Sequence, residues 1–234
     1  AAIELMDQTC TRAVANWLPS AQLPTDAGAI LIIEVEGIED GLDAVVAEIE
    51  ALCLGDGATE VRRAKEGPQR DTLWAARKGA FGAIGILAPN YYVQDGVIPR
   101  TKLPQVLKSV YDIGRKYDLV VANVFHAGDG NIHPLILFDE RQNGALETVM
   151  EAGKEILSAC LAVGGTLTGE HGIGMEKINQ MSQLFEPSDL AAMIKIRDVF
   201  SKDCLFNPGK VFPESESDAQ TTTFGTAAID VGMK

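Results

Sequence analysis

Apolar and polar positions follow two periods along this chain, and the changes of period mark its elements. Residues 29–36 are apolar and β-branched and predict a strand. Over residues 39–54 the apolar positions Leu42, Val45, Val46, Ile49 and Leu52 fall at helical spacing. Residues 59–64 predict a further strand. Residues 69–84 predict a helix with Leu73, Trp74, Ala76 and Phe81 among its apolar positions. Residues 91–98 are strand-like, with a bulge at Gly96, and residues 103–117 are helical. Residues 119–126 and 132–138 read as two strands joined by Gly-Asp-Gly-Asn, a strong turn signal, and so predict a hairpin. A long helix follows over 141–163, and another over 188–203 with Ser188 as its N-cap after Pro187.

This order predicts an α+β fold with a mostly antiparallel sheet, helices packed mainly on one face, and a C-terminal helical segment. The five strand candidates are expected in one sheet, with helices 39–54 and 103–117 on the same face. Residues 1–213 read as one domain. Residues 214–234 are polar, poor in core formers, and read as a tail.

Composition narrows the function classes. Apolar residues make up 46% and charged residues 23% of 234, which is globular. The net charge of −13 argues against nucleic acid and anionic lipid as partners. No apolar run approaches the roughly 20 residues that span a bilayer. The N-terminus has neither basic nor apolar leader character, and it lacks an initiator Met, so a fragment of a longer protein is expected. Cys10, Cys53, Cys160 and Cys204 are widely spaced, without CxxC, and read as buried thiols of a reducing, cytoplasmic compartment.

The chemistry concentrates in three histidines. His126 and His133 flank the hairpin turn, and His171 follows in Gly169-Glu170-His171-Gly172. Folding the hairpin brings His126 and His133 onto neighbouring strands, where cross-strand Cβ atoms lie about 5 Å apart. Two imidazoles so placed can each reach one ion at roughly 2.1 Å. Glu170 would complete a His, His, Glu set with open positions, the pattern of a catalytic metal site. A cation there keeps the adjacent His171 neutral and fit to act as a general base. The plainer reading, imidazoles that satisfy turn backbone, explains one histidine better than it explains this cluster.

These motifs carry a family resemblance. His126 to Pro134 (His-Ala-Gly-Asp-Gly-Asn-Ile-His-Pro), Gly165 to Gly174 (Gly-Thr-Leu-Thr-Gly-Glu-His-Gly-Ile-Gly) and Phe206 to Pro213 (Phe-Asn-Pro-Gly-Lys-Val-Phe-Pro) resemble the C-terminal substrate and cap domain of FAD-linked oxidases. D-lactate dehydrogenase, D-2-hydroxyglutarate dehydrogenase and the D subunit of glycolate oxidase belong to that family. Trp74-Ala-Ala-Arg-Lys78 and the run from Tyr91 to Arg100 are most similar to the glycolate oxidase subunit. The resemblance implies a ferredoxin-like cap and oxidation of a small D-2-hydroxy acid to the 2-oxo acid, with hydride passing to FAD. It implies Zn or Mn on His126, His133 and Glu170, His171 as base, Arg77 on the substrate carboxylate and Asn207 towards the flavin. It also implies the family's own N-terminal FAD domain, which this chain lacks. The Asp and Glu surplus reads mostly as solvated surface, with an acidic face for an iron–sulfur acceptor subunit as the alternative, and any membrane association would pass through such partner subunits. Members acting on dicarboxylates carry Lys where this chain has Val93 and Asn where it has Leu135, so a monocarboxylate such as glycolate or D-lactate is expected.

Plainer roles compete at several positions. Arg77 without the resemblance is a solvated helix Arg. Asn207 in Asn-Pro-Gly serves equally as a helix stop. Asp129 serves the turn, and Trp17, Trp74 and Phe125 read as core. At the level of function, the competing readings are a metal-binding or assembly module without oxidation of its own, and a metal-dependent hydrolase.

Overall fold

The computed structural model describes residues 1–64, 67–203 and 205–213. The chain divides into two compact units, Ala1–Gly172 and Ile173–Lys234, so the single domain expected over 1–213 spans both. The expected polar tail lies outside the described residues.

The first unit is built on a five-stranded sheet, entirely antiparallel, in the order β2-β1-β5-β7-β3. Its strands are β1 (Ala2–Asp7), β2 (Ala29–Glu34), β3 (Asn90–Val93), β5 (Val120–Phe125) and β7 (Pro134–Phe138). A two-stranded ribbon of β4 (Gly96–Val97) and β6 (Asn131–Ile132) stands beside it. The expected α+β class and antiparallel sheet are present, but the membership differs: residues 91–98, expected as one bulged strand, split into β3 and β4, and residues 132–138 are shared between β6 and β7, each split falling between the two sheets. Residues 59–64 form no strand. Val61 is their one strongly apolar residue, and their arginines are engaged by Glu60, Glu50 and the Gln22 carbonyl, which leaves no apolar face to bury. β1 takes the place among the five. Its pattern was hidden because Glu4 occupies an inward position.

The helices differ from expectation in placement. Successive strand residues point to opposite faces, and both faces of this sheet are covered. Ala122, Val124, Leu135 and Leu137 pack with α1 (Gln8–Trp17) and α3 (Pro68–Ile84). Val121, Phe125 and Ile136 pack with α4 (Leu103–Lys116) and α5 (Ala145–Ala162). α2 (Glu39–Gly55) forms where its spacing predicts, yet buries none of its residues. Of the aromatic residues expected in the core, Phe125 is fully buried and Trp74 partly buried, but Trp17 is 52% exposed. Its ring lies over Gly79 of α3, where any Cβ would collide with it.

Asp7 ties four elements together. It caps α1 by accepting from the Cys10 N–H at 2.8 Å, and it also accepts from Tyr111 on α4 and from the backbone and side chain of Asn123 on β5. Burial nevertheless pushes its carboxyl above the ordinary value, with these hydrogen bonds opposing. Cys10 and Cys160 are buried, Cys53 is half-buried, no disulfide joins the described cysteines, and Cys204 lies outside the described residues.

The second unit holds the short α6 (Met181–Leu184) and α7 (Pro187–Phe200). α7 begins one residue earlier than its sequence pattern suggests. Glu186, not Ser188, is the N-cap, in a reciprocal capping box with Asp189 and with Pro187 at the first helical position.

Candidate metal and substrate site

The hairpin forms, and its register sets the histidines. β5 and β7 pair Asn123 with Pro134, and the same register pairs His126 with Asn131 across the turn. His133 therefore stands two residues along from the partner of His126. The pair is diagonal rather than directly opposite, and an even offset keeps both rings on one face. Their ring centroids lie 5.5 Å apart in a T-shaped arrangement. The turn between them depends on Gly130, whose φ of +72° places it where a Cβ would strike the Ile98 carbonyl.

The second loop closes on this pair. Glu170 Oε1 lies 3.4 Å from His126 Nε2, and Oε2 lies 3.7 Å from His133 Nε2. One ligand atom from each of the three lies within 4.8 Å of the others. Ligands about 2.1 Å from one tetrahedral ion are separated by roughly 3.4 Å, so both contacts of Glu170 already approach that spacing. The ring of His171 stacks on His133 at 5.1 Å, and His171 is exposed.

Asp95 organises the loop that delivers Glu170 and His171. It is fully buried, and its Oδ2 accepts from the backbone N–H of Gly169, Glu170 and His171 at 2.9, 3.1 and 2.9 Å and from the Thr168 hydroxyl at 2.5 Å. Its other oxygen lies 3.8 Å from His133 Nδ1, an atom with no hydrogen-bond partner among the described residues. Burial pushes the His133 imidazole below its ordinary value. Asp95 and Glu170 pull upward, and His171 and His126 push further down. A neutral imidazole is the form that binds a metal.

Arg77 of α3 is buried rather than solvated, at 7% exposure. Its Nε and Nη2 reach Glu4 Oε2 at 3.0 and 2.8 Å. Glu4 Oε1 lies 2.8 Å from His126 Nδ1. One carboxylate thus joins the residue expected to grip the substrate to a residue expected to hold the metal. Removing either partner of such a buried pair strands a charge, at about 3–5 kcal/mol.

The chain therefore brings together His126, His133, Glu170, His171 and, through Glu4, Arg77. Sequence reasoning missed Glu4 and Asp95. For Asp95 the signal was a carboxylate inside an otherwise strand-like run. For Glu4 it was an acid at an inward position of an apolar segment. Asn207 belongs to the second unit, in left-handed conformation at φ +48°, with its Oδ1 3.4 Å from Lys210 Nζ. Val93 and Leu135 are direct register partners on β3 and β7. Leu135 is fully buried and Val93 packs against the same apolar cluster. A recess of about 470 Å³ lined by Glu34, Arg70, Asp71, Trp74, Ala75 and Lys78 shares no residue with the histidine set. Its lining carries no histidine, and its charges lie on the surface of α3 and β2.

Comparison with known proteins identifies the family of the chain. Residues 1–211 match the family described as FAD linked oxidases, C-terminal domain. The chain is 44% identical over 211 residues to the glycolate oxidase subunit GlcD of Escherichia coli K12, covering 90% of this chain and 42% of that protein. It is 29% identical over 224 residues to a probable mitochondrial D-lactate dehydrogenase of Danio rerio, covering 93% of this chain and 43% of that one. The chain thus spans less than half the length of either relative. Among solved structures, 4-ethylphenol oxidase from Gulosibacter chungangensis superposes with a TM-score of 0.63 at 14% identity, covering 92% of this chain and 48% of that one, which is a likeness of fold. Among the described residues no helix is long and apolar enough to cross a membrane.

Proposed function

The chain belongs to the FAD linked oxidases, C-terminal domain family, and from that premise we propose that it is the substrate-side domain of a flavin-dependent oxidoreductase. Its substrate is a small 2-hydroxy monocarboxylate, glycolate or D-lactate, oxidised to the 2-oxo acid. The observation that carries this reading is the convergence of His126, His133 and Glu170, with His171 stacked beside them.

When bound, a divalent ion, Zn²⁺ or Mn²⁺, supplies Lewis acidity at the substrate hydroxyl, and FAD on a separate domain supplies the hydride acceptor. The protein residues do the rest. His126, His133 and Glu170 hold the ion. His171 takes the hydroxyl proton on an imidazole nitrogen, and the open face of its ring suits that role. Arg77 holds the substrate carboxylate. Glu4 takes up its Nε–Nη2 edge, so the carboxylate meets the guanidinium at its Nη1–Nη2 end. The apolar pair of Val93 and Leu135 offers no polar group to a second carboxylate, which supports a monocarboxylate. The role of Asn207 against the flavin rests on the resemblance of residues 206–213 alone.

Fusing this chain behind the remaining segment of the Escherichia coli relative tests the reading. Dye reduction is followed with glycolate, D-lactate and D-2-hydroxyglutarate. Turnover is expected with a monocarboxylate. A fusion that holds flavin yet oxidises no 2-hydroxy acid sinks the proposal and leaves a metal-binding module.

A further inference from the structure

We infer that Glu4 is a positioning residue that sets the tautomer of His126 and the orientation of Arg77 with one buried carboxylate. This inference deepens the proposed function and rests on its reading of His126 as a metal ligand and Arg77 as a substrate anchor.

The argument begins with strand register. β1 pairs Met6 with Val124 and Leu5 with Phe125, so one step further along, Glu4 comes level with His126. The hydrogen bond from the Gly128 N–H to the Ile3 carbonyl, 2.9 Å, holds β1 against the turn at that point. Met6 faces α1 and α3, and Glu4, two residues away, faces the same way. The backbone alone thus delivers a carboxylate between the edge of the hairpin and the buried guanidinium of α3.

The chemistry follows from which oxygen meets which atom. An ionised carboxylate only accepts hydrogen bonds. The 2.8 Å contact of Oε1 therefore takes its proton from His126 Nδ1. The neutral ring then has its lone pair on Nε2, the atom that faces Glu170 at 3.4 Å. Two acceptor atoms face each other there, which disfavours the empty arrangement and suits a cation between them. The other oxygen of Glu4 holds the Nε and Nη2 of Arg77. That contact fixes the plane of the fork and offsets its charge beside a site due to receive a dication. Both side chains are 8% exposed, so water does not take over either role.

Two measurements on the 234-residue chain test this. The first needs no variant. In metal-free, ¹⁵N-labelled protein, long-range proton–nitrogen spectra should show neutral His126 with its proton on Nδ1. A ring with its proton on Nε2 overturns the inference. The second is a Zn²⁺ titration against a chelating dye. Glu4→Gln should weaken Zn²⁺ binding by about 10–100-fold, the usual cost of losing such an orienting partner. If Glu4→Gln does not fold, because Arg77 is left with an unpaired buried charge, the Glu4→Gln/Arg77→Met double variant removes that charge. It should show the same loss, and wild-type affinity in a folded Glu4 variant overturns the inference. His126→Ala separates the two layers of argument. Wild-type affinity in His126→Ala defeats the metal reading itself. Loss in His126→Ala with full affinity in the folded Glu4 variant defeats only the role of Glu4.

Discussion

His133 and His171 lie face to face, their ring centroids 5.1 Å apart and their planes within 9° of parallel. One ring is buried and the other exposed. Charging both would set like charges in contact, and the buried ring bears most of that cost.

The first prediction concerns His133 in the metal-free protein. Its value is lowered from the ordinary 6.5, chiefly by burial. A histidine lowered in this way binds fewer protons folded than unfolded between the two values. Its contribution to stability is therefore intact above pH 6.5 and is lost as the pH falls towards the folded value. An NMR titration of the ring protons should place the midpoint of His133 below 6.5. A midpoint above it would contradict the burial argument.

The metal set is tested by removal and substitution. Purified protein should take up about one Zn²⁺ or Mn²⁺ per chain, and a chelator should lower its Tm. Ala at His126, His133 or Glu170 should each reduce affinity strongly, because three ligands leave no spare. Equal binding by all three variants, read by elemental analysis after dialysis, excludes this site.

Asp95→Asn keeps the shape but replaces an oxygen that accepts four hydrogen bonds with a neutral amide. Charge-assisted bonds are about twice as strong as neutral ones, so the 168–171 loop should loosen. Hydrogen exchange at the Gly169, Glu170 and His171 amides should quicken by at least tenfold while the sheet amides hold. Unchanged exchange at those three positions argues that other contacts hold the loop.

Cys10 should be inert. Burial, with Asp7 adding to it, pushes its thiol up to about 12, so almost no thiolate is present at neutral pH. Brief treatment with iodoacetamide should label half-buried Cys53 well before Cys10, as read by peptide mass. Prompt labelling of Cys10 in folded protein would show that α1 opens readily.

In the flavin-domain fusion, His171→Ala should lower turnover by roughly 10²–10⁴-fold with a smaller change in affinity, the range for a lost general base. Arg77→Lys should instead raise KM, because an ammonium reproduces neither the fork towards substrate nor the one towards Glu4. Val93→Lys should shift kcat/KM towards D-2-hydroxyglutarate relative to glycolate. Wild-type turnover in His171→Ala would remove His171 from the chemistry.

Much of the first unit was legible in the chain itself. Local period decides a helix, so α2 to α5 fall within a few residues of the predicted ranges. The turn Gly-Asp-Gly-Asn decides a hairpin, so β5 and β7 pair and carry His126 and His133 to one end. The Gly-rich loop marked Glu170 and His171 as candidates, and the fold sets both beside the two hairpin histidines.

Tertiary structure alone decided the rest, because the signals involved are non-local. Residues 2–7 are not among the strands that the sequence pattern predicts, and only the fold sets Glu4 opposite Arg77 and His126, 73 and 122 residues away, where the buried acid is paired. Residues 59–64 have strand-like composition but no apolar face that another strand could cover. The near-continuous apolar runs of β5 and β7 fit a sheet covered on both sides, but which helix packs on which face depends on contacts between elements distant in sequence. Asp95 stands out in the sequence only as a carboxylate inside a strand-like run, and the loop it holds, more than 70 residues on, appears only in the fold. The chain names the candidate ligand-contacting groups, because their chemistry is written in residue type. The groups that orient them are set by register and packing, which appear only once the sheet has formed.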